Sequence, residues 1–281
     1  NTNNNNNTLL RRLNLVSYIA NTFVTYAVGA SDDWFVDLPD NATLSRKYQT
    51  LVTPAGWAFA IWGVIFTTQL IWVLHQQQQF YKASPNNHDD DDGSNRSIDA
   101  VGYKYVYVCL AQMAWSIAFA NELLTLSLGC MVILLMILWN MERRLPEMAN
   151  TTGTSTTLHY WIYRFPFALH TGWICAATVV NINVVLVASS YRDENDDNSM
   201  EYYAAVASLL LILILAFYKL LQAFDFTIPA VLAYALMGIY YELRDTTDEK
   251  LLARTPDVDT LQWSALAAAT LIVTFIIAMG V

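Results

Sequence analysis

What most constrains this chain is the recurrence of long apolar runs with almost no charge inside them. A helix needs roughly 20 predominantly apolar residues to cross a bilayer, because lipid offers backbone N–H and C=O groups no partner. Eight stretches fit that need, at about residues 13–30, 51–74, 101–120, 123–139, 160–189, 202–221, 224–241 and 261–281. The sequence therefore predicts an all-α, multi-pass integral membrane bundle. Only 14% of its residues are charged, against roughly 25% in soluble domains, and 55% are hydrophobic. Three cysteines are too few for a disulfide scaffold, and 24 acidic against 15 basic residues argue against a nucleic-acid partner.

Only Asn121 and Glu122 separate the third and fourth runs, so a tight hairpin is expected between them. The seventh run carries Asp225 and Pro229 near its start, which predicts a kinked or half-inserted helix and leaves a count of seven spans open. The Asn-rich tract at residues 3–7 reads as a disordered tail, taken as residues 1–12. Residues 84–100, with four consecutive aspartates, read as a solvated loop that lacks the spacing of a calcium-binding hand. No Met begins the sequence, which fits a processed precursor and points to a plastid or mitochondrial membrane. Lys and Arg divide nine to six between the two sides, a bias that places both termini on the cytoplasm-like face.

Polar groups inside the spans carry the most information, since lipid makes them costly unless they face a bundle interior, a cavity or a ligand. The fifth span holds His170, Asn181 and Asn183, with Arg164 near its start; the third holds Gln112 beside Trp115, and the first holds Asn14 and Asn21. Interhelical hydrogen bonding accounts for such residues singly. A neutral imidazole at His170 either caps a neighbouring helix or serves as an axial ligand to a tetrapyrrole metal. No second His stands at i+3 or i+4 and Cys109, Cys130 and Cys175 are isolated, so no protein-only metal site is expected. Hydrolase and phosphate-loop motifs are lacking as well, and no catalytic residue is assigned.

Nine tryptophans complete the pattern. Trp34, Trp161 and Trp263 lie near span ends, where an interfacial belt explains them. Trp57, Trp62, Trp72, Trp115 and Trp173 lie within spans, alongside Phe59 and Phe119. Aromatic walls with a few polar groups suit a flat apolar ligand, and they equally suit a large bundle core.

The segment Thr53-Pro54-Ala55-Gly56-Trp57-Ala58-Phe59-Ala60-Ile61-Trp62-Gly63 resembles the signature of the TspO/translocator protein (tryptophan-rich sensory protein) family. Gln112, Trp115 and Phe119 resemble that family's third helix. Pro166-Phe167, Trp173 and Asn181 resemble its fifth, with the same eight-residue step from Trp to Asn. Ala55 stands where the family has a second proline and Gln112 where it has Asn, features of its longer, divergent members. The motifs span about residues 10–190, which implies a five-helix core over 13–190 and leaves 191–281 as a C-terminal extension of about three transmembrane helices.

Family members bind porphyrins, sterols and flat synthetic ligands in a pocket opening toward the loop between the first two spans. The resemblance implies that Trp57, Phe59, Trp62, Gln112, Trp115, Phe119, Trp173 and Asn181 line or support such a pocket. The expected function is binding of a tetrapyrrole- or sterol-like ligand, with a porphyrin, chlorophyll or sterol bound noncovalently and no enzymatic step. The alternative is a structural accessory subunit of a photosynthetic or respiratory membrane complex that holds pigments or lipids. Expected partners are the lipid bilayer, the ligand, and either a larger complex or a second copy of the chain.

Overall fold

The structure is a computed structural model that describes residues 2–29, 41–82, 101–149, 160–190, 199–223, 226–246 and 257–279. Nine α-helices form among them: α1 (Thr2–Gly29), α2 (Asn41–Lys47), α3 (Ile61–Lys82), α4 (Lys104–Ala120), α5 (Leu124–Ala149), α6 (Phe165–Ser190), α7 (Ser199–Ala223), α8 (Thr227–Asp245) and α9 (Val258–Ala278). A 3-10 turn, Gly56–Ala60, leads into α3, and a π turn, Tyr160–Arg164, leads into α6. The π turn has a local cause. Pro166 has no N–H to give to the carbonyl four residues back, so the regular ladder cannot run through it.

Over its described residues each run read as a span is mostly helical, and among the described residues five helices are long and apolar enough to cross a bilayer: Gly56–Gln78, Leu124–Leu145, Tyr160–Ser189, Met200–Gln222 and Val258–Ala278. Of the eight runs expected to span, α1, α4 and α8 fall short of this measure of length and composition. Helix α4 has only 17 residues, about 25 Å at 1.5 Å per residue. Helix α8 ends in Glu242, Arg244 and Asp245, and α1 begins in polar sequence. Residues 3–7 belong to α1 and are not a disordered tail. Arg11 donates to the Gln76 carbonyl (3.2 Å) and Gln77 donates to the Arg11 carbonyl (2.9 Å), so α1 is anchored there. Adding turns to an anchored helix costs little compared with nucleating one.

Pro229 neither kinks α8 nor interrupts it, because it occupies the first turn, where backbone donors have no helical acceptor. Asp225, the aspartate run in 84–100, Trp34 and Asn150 lie outside the described residues. The expected tight hairpin is present. Glu122 adopts φ 57°, the Glu122 N–H bonds to the Phe119 carbonyl and the Leu123 N–H to the Ala118 carbonyl, both at 2.9 Å. That pair of bonds is the left-handed helix stop usually made by glycine. Here the side chain is held as well: the Glu122 carboxylate accepts from Lys47 (2.6 Å) and Tyr48 (2.5 Å). Those two donors pull its pKa below the usual range, Lys47 most strongly, and the Lys47 ammonium is raised in return.

Helix α6 is the central one, with 67% of its apolar window buried against 33–39% in the other four spans. It packs on α3, α5, α7 and α8, while α1 lies along α4 and α9 closes against α8. One continuous core draws on all eight long helices, from Tyr18 through Ile65, Tyr105, Leu134, Phe167, Ile212 and Leu232 to Ile272. At its centre the buried Trp72 ring meets Tyr105 and Phe167 edge to face, at 4.8 and 4.9 Å. The C-terminal helices are therefore built into the same core as the rest of the chain.

Helix α1 is inside out. Arg11, Asn14, Tyr18, Asn21 and Thr25, one per turn, are buried, while Leu9, Val16, Ile19, Phe23 and Tyr26 are exposed. The polar stripe turns toward α3 and α4, the helices against which α1 lies, and the apolar residues turn outward.

Candidate functional site

The local geometry around Pro54 sets up the site. Proline has no N–H and disfavours helix in the residue before it, so the expected span from 51 begins as irregular chain and becomes helical only at Gly56. The Thr50 and Thr53 hydroxyls fold this stretch on itself: the Thr50 N–H bonds to the Thr53 hydroxyl at 2.9 Å. Helix α8 then satisfies the remaining backbone. The Ala55 N–H donates to the Gly238 carbonyl (3.0 Å), and the Tyr234 hydroxyl donates to the Ala58 carbonyl (3.2 Å). Such close approach requires glycine at 238, where a β-carbon would stand 2.9 Å from Pro54 Cβ and 3.0 Å from Ala58 Cβ.

Between this segment and α6 lies a cavity of about 670 Å³. That falls within the roughly 300–1,000 Å³ of sites for drug-sized ligands. Its wall is aromatic. Phe59 meets Trp173 edge to face at 5.8 Å, Trp62 meets Trp173 at 6.4 Å, and Trp62 stacks on Phe66. Trp115 and Phe119, stacked at 5.5 Å, face the cavity from α4. The polar lining includes Arg46, Gln49 and Thr53 from the α2 side, Asn181 from α6 and Glu242 from α8. Gln49 donates to Glu242 at 2.7 Å. Burial raises the Glu242 carboxyl above its ordinary pKa, and the nearby charge of Asp245 adds to the effect. Asn181 exchanges hydrogen bonds with Ser127, at 3.1 and 3.2 Å.

Of the eight residues expected to line or support a pocket, Phe59, Trp62, Trp115, Phe119, Trp173 and Asn181 line this cavity. Trp57 does not. It is 46% exposed and packs edge-on against Tyr234 (5.3 Å) and Tyr241 (5.8 Å) of α8, away from the cavity wall. Gln112 is wholly buried and lies one turn before Trp115, outside the lining.

His170 is also wholly buried and outside the lining. Gln69 donates to its Nδ1 (3.0 Å) and accepts the Tyr105 hydroxyl (3.2 Å) on its own oxygen. The other ring nitrogen, Nε2, is buried and has no hydrogen-bond partner among the described residues. The structure thus places His170 in a buried hydrogen-bond chain outside the cavity lining, with the Trp62 ring edge-on at 5.8 Å.

A second polar constellation has no forerunner in the sequence reading beyond Arg164. The Glu142 carboxylate of α5 pairs with Arg164 (3.1 Å) and with Lys219 of α7. Glu142 and Lys219 are almost wholly buried, and the Lys219 ammonium also sits 4.4 Å from the centre of the Trp139 ring. The available signal was a lysine inside the apolar run 202–221 and a glutamate at the close of the run 123–139, charges that lipid forbids unless paired. Among the described residues no group of three His, Cys, Asp or Glu side chains is placed to hold a metal ion.

Searches of curated proteins and of solved structures return no match to this chain. A family model described as TSPO-like protein matches residues 11–278, reaching well past the 10–190 over which the motifs are recognisable and through α7, α8 and α9. The aromatic cavity, the five apolar spans and this near-complete match agree, and the chain is an integral multi-pass membrane protein that belongs to the TSPO-like protein family.

Proposed function

We propose that the protein binds a flat, largely apolar ligand of tetrapyrrole or sterol type in the α3–α4–α6–α8 cavity. The observation that carries this reading is the wall itself: Phe59, Trp62, Trp115, Phe119 and Trp173 converge on one space, while the polar lining groups are few. Aromatic rings give such a ligand a large contact area with little side-chain entropy to lose, and the few polar groups fix its orientation. In this reading a five-helix core (α1, α3, α4, α5 and α6) carries the site, and α8 supplies one wall through Ala235, Ile239 and Glu242. The protein holds its ligand and does not transform it. A bound porphyrin, chlorophyll or sterol is accommodated without a protein axial ligand, since His170 lies elsewhere.

The test is an absorption spectrum and a mass spectrum of extracted small molecules, taken on protein purified in mild detergent from its native membrane. Trp173→Ala and Trp62→Ala should each remove most of the bound compound, whereas Trp57→Ala should retain it. A protein that carries no such compound and stays locked in a larger assembly would refute the reading in favour of a structural accessory subunit.

A further inference from the structure

The inward face of α1 presents polar groups that the protein itself leaves unmet. Asn21 is wholly buried, and neither its amide nitrogen nor its oxygen has a hydrogen-bond partner among the described residues. The same holds for both amide atoms of Gln112 on α4, the helix against which α1 lies, and for the hydroxyl of Ser116 one turn further on. Toward the other end of α1, Asn14 donates to Gln76 at 3.3 Å. That single bond uses the Asn14 nitrogen and the Gln76 oxygen, leaving the Asn14 oxygen and the Gln76 nitrogen buried and unmet.

These groups form a line. Asn14, Asn21 and Thr25 share one face of α1, and Thr25 lines the cavity. Gln112 and Ser116 share a face of α4 and flank Trp115, which also lines it. Asn21 and Gln112 each stand about one turn from the cavity wall, and the Arg11 bonds to α3 mark the far end of the seam. A buried amide with neither donor nor acceptor met is costly in any apolar setting, and in a bilayer no bulk water relieves it. Other buried amides of this protein obey the rule: Asn183, facing α7, donates to the Val179 carbonyl (2.9 Å) and the Ser208 hydroxyl (2.8 Å). The departure is concentrated on α1, α3 and α4.

We infer that the α1–α3–α4 interface is a hydrated seam: a file of internal water molecules, held by Asn14, Asn21, Gln76, Gln112 and Ser116, that continues to the cavity. An internal water makes about three hydrogen bonds to buried polar groups, so a short file meets all of these atoms at once. The inference does not depend on what the cavity binds.

The experiment uses the full chain in lipid bilayers with nitrogen-15 in its Asn and Gln side chains. Water-edited solid-state NMR reads how fast each side-chain amide receives magnetisation from water. The Asn21 and Gln112 amides should build up several-fold faster than that of Asn183, the dry internal control, and at a rate close to that of the exposed Gln78. Build-up as slow as that of Asn183 overturns the inference, because the two amides then pair with each other in a dry seam. Gln112→Leu removes an unmet group and so does not threaten folding. It should slow the Asn21 build-up several-fold by breaking the file. An unchanged Asn21 rate in that variant overturns the continuity of the seam.

Discussion

Replacing Gly238 by alanine should destabilise the bundle, although alanine is the better helix former. The helical gain from losing a mid-helix glycine is at most about 1 kcal/mol. Against it stands overpacking. The new methyl would lie 2.9 Å from Pro54 Cβ and 3.0 Å from Ala58 Cβ, and neither atom is the movable end of a side chain. Relief requires α8 to back away from the 54–58 segment, which stretches the Ala55 N–H bond to the Gly238 carbonyl. Overpacking of this kind costs about 1–3 kcal/mol, so the net loss should be up to about 2 kcal/mol. Gly129 on α5 is the matched control: an added β-carbon there meets nothing within 4 Å, and Gly129→Ala should gain up to about 1 kcal/mol. The two variants should differ by about 2 kcal/mol, a factor of roughly 30 in the unfolding equilibrium. Reversible unfolding in mixed micelles, followed by tryptophan fluorescence, resolves such a difference. Gly172→Ala should side with Gly238→Ala, since its methyl would meet Val231 Cβ at 2.9 Å and the Ile228 backbone at 3.3 Å. Equal stability of Gly238→Ala and Gly129→Ala would refute the argument that close backbone contact, and not helix propensity, decides these positions.

Two further outcomes follow from the charged groups. Glu142→Gln leaves the buried Lys219 ammonium without a counter-charge and should cost about 3–5 kcal/mol in the same unfolding assay, whereas adding Lys219→Met should restore most of that loss. Glu242 has a folded-state pKa raised above 4.5 by burial, so its contribution is fully present below that pH and is lost as pH rises through the folded value. Wild-type melting temperature should therefore fall relative to that of Glu242→Gln between mildly acidic and neutral pH, and parallel pH profiles would refute the assignment.

The helices were legible because lipid enforces a simple rule on length and polarity, and the Asn121–Glu122 hairpin because the gap allowed nothing else. Six cavity-lining residues were legible through the spacing of aromatic residues and the family resemblance. What stayed hidden depends on contacts between distant segments. Nothing local marks Gly238 as the seat of the Pro54–Ala58 segment, nor Glu142 and Lys219 as partners across 77 positions. Trp57, which the resemblance implies as lining or supporting the pocket, packs instead against Tyr234 and Tyr241 of α8, helix contacts that no motif marks. The tail at 3–7 was misread because composition reports what a segment does alone, not what an anchored helix imposes on its first turns.

The position of α8 follows from the same rule that made the spans legible. Pro54 interrupts the helical ladder at the depth of the bundle, and irregular backbone there is tolerated only where protein covers it. Ala55 would otherwise present an N–H with no helical partner. Helix α8 meets it through the Gly238 carbonyl and adds the Tyr234 hydroxyl to the Ala58 carbonyl, and the same contact brings Ala235, Ile239 and Glu242 to the cavity. The break at Pro54 turns Phe59 and Trp62 toward the cavity and at the same time creates the need for a covering helix. Wall and cover thus meet at one backbone contact, the Ala55 N–H on the Gly238 carbonyl.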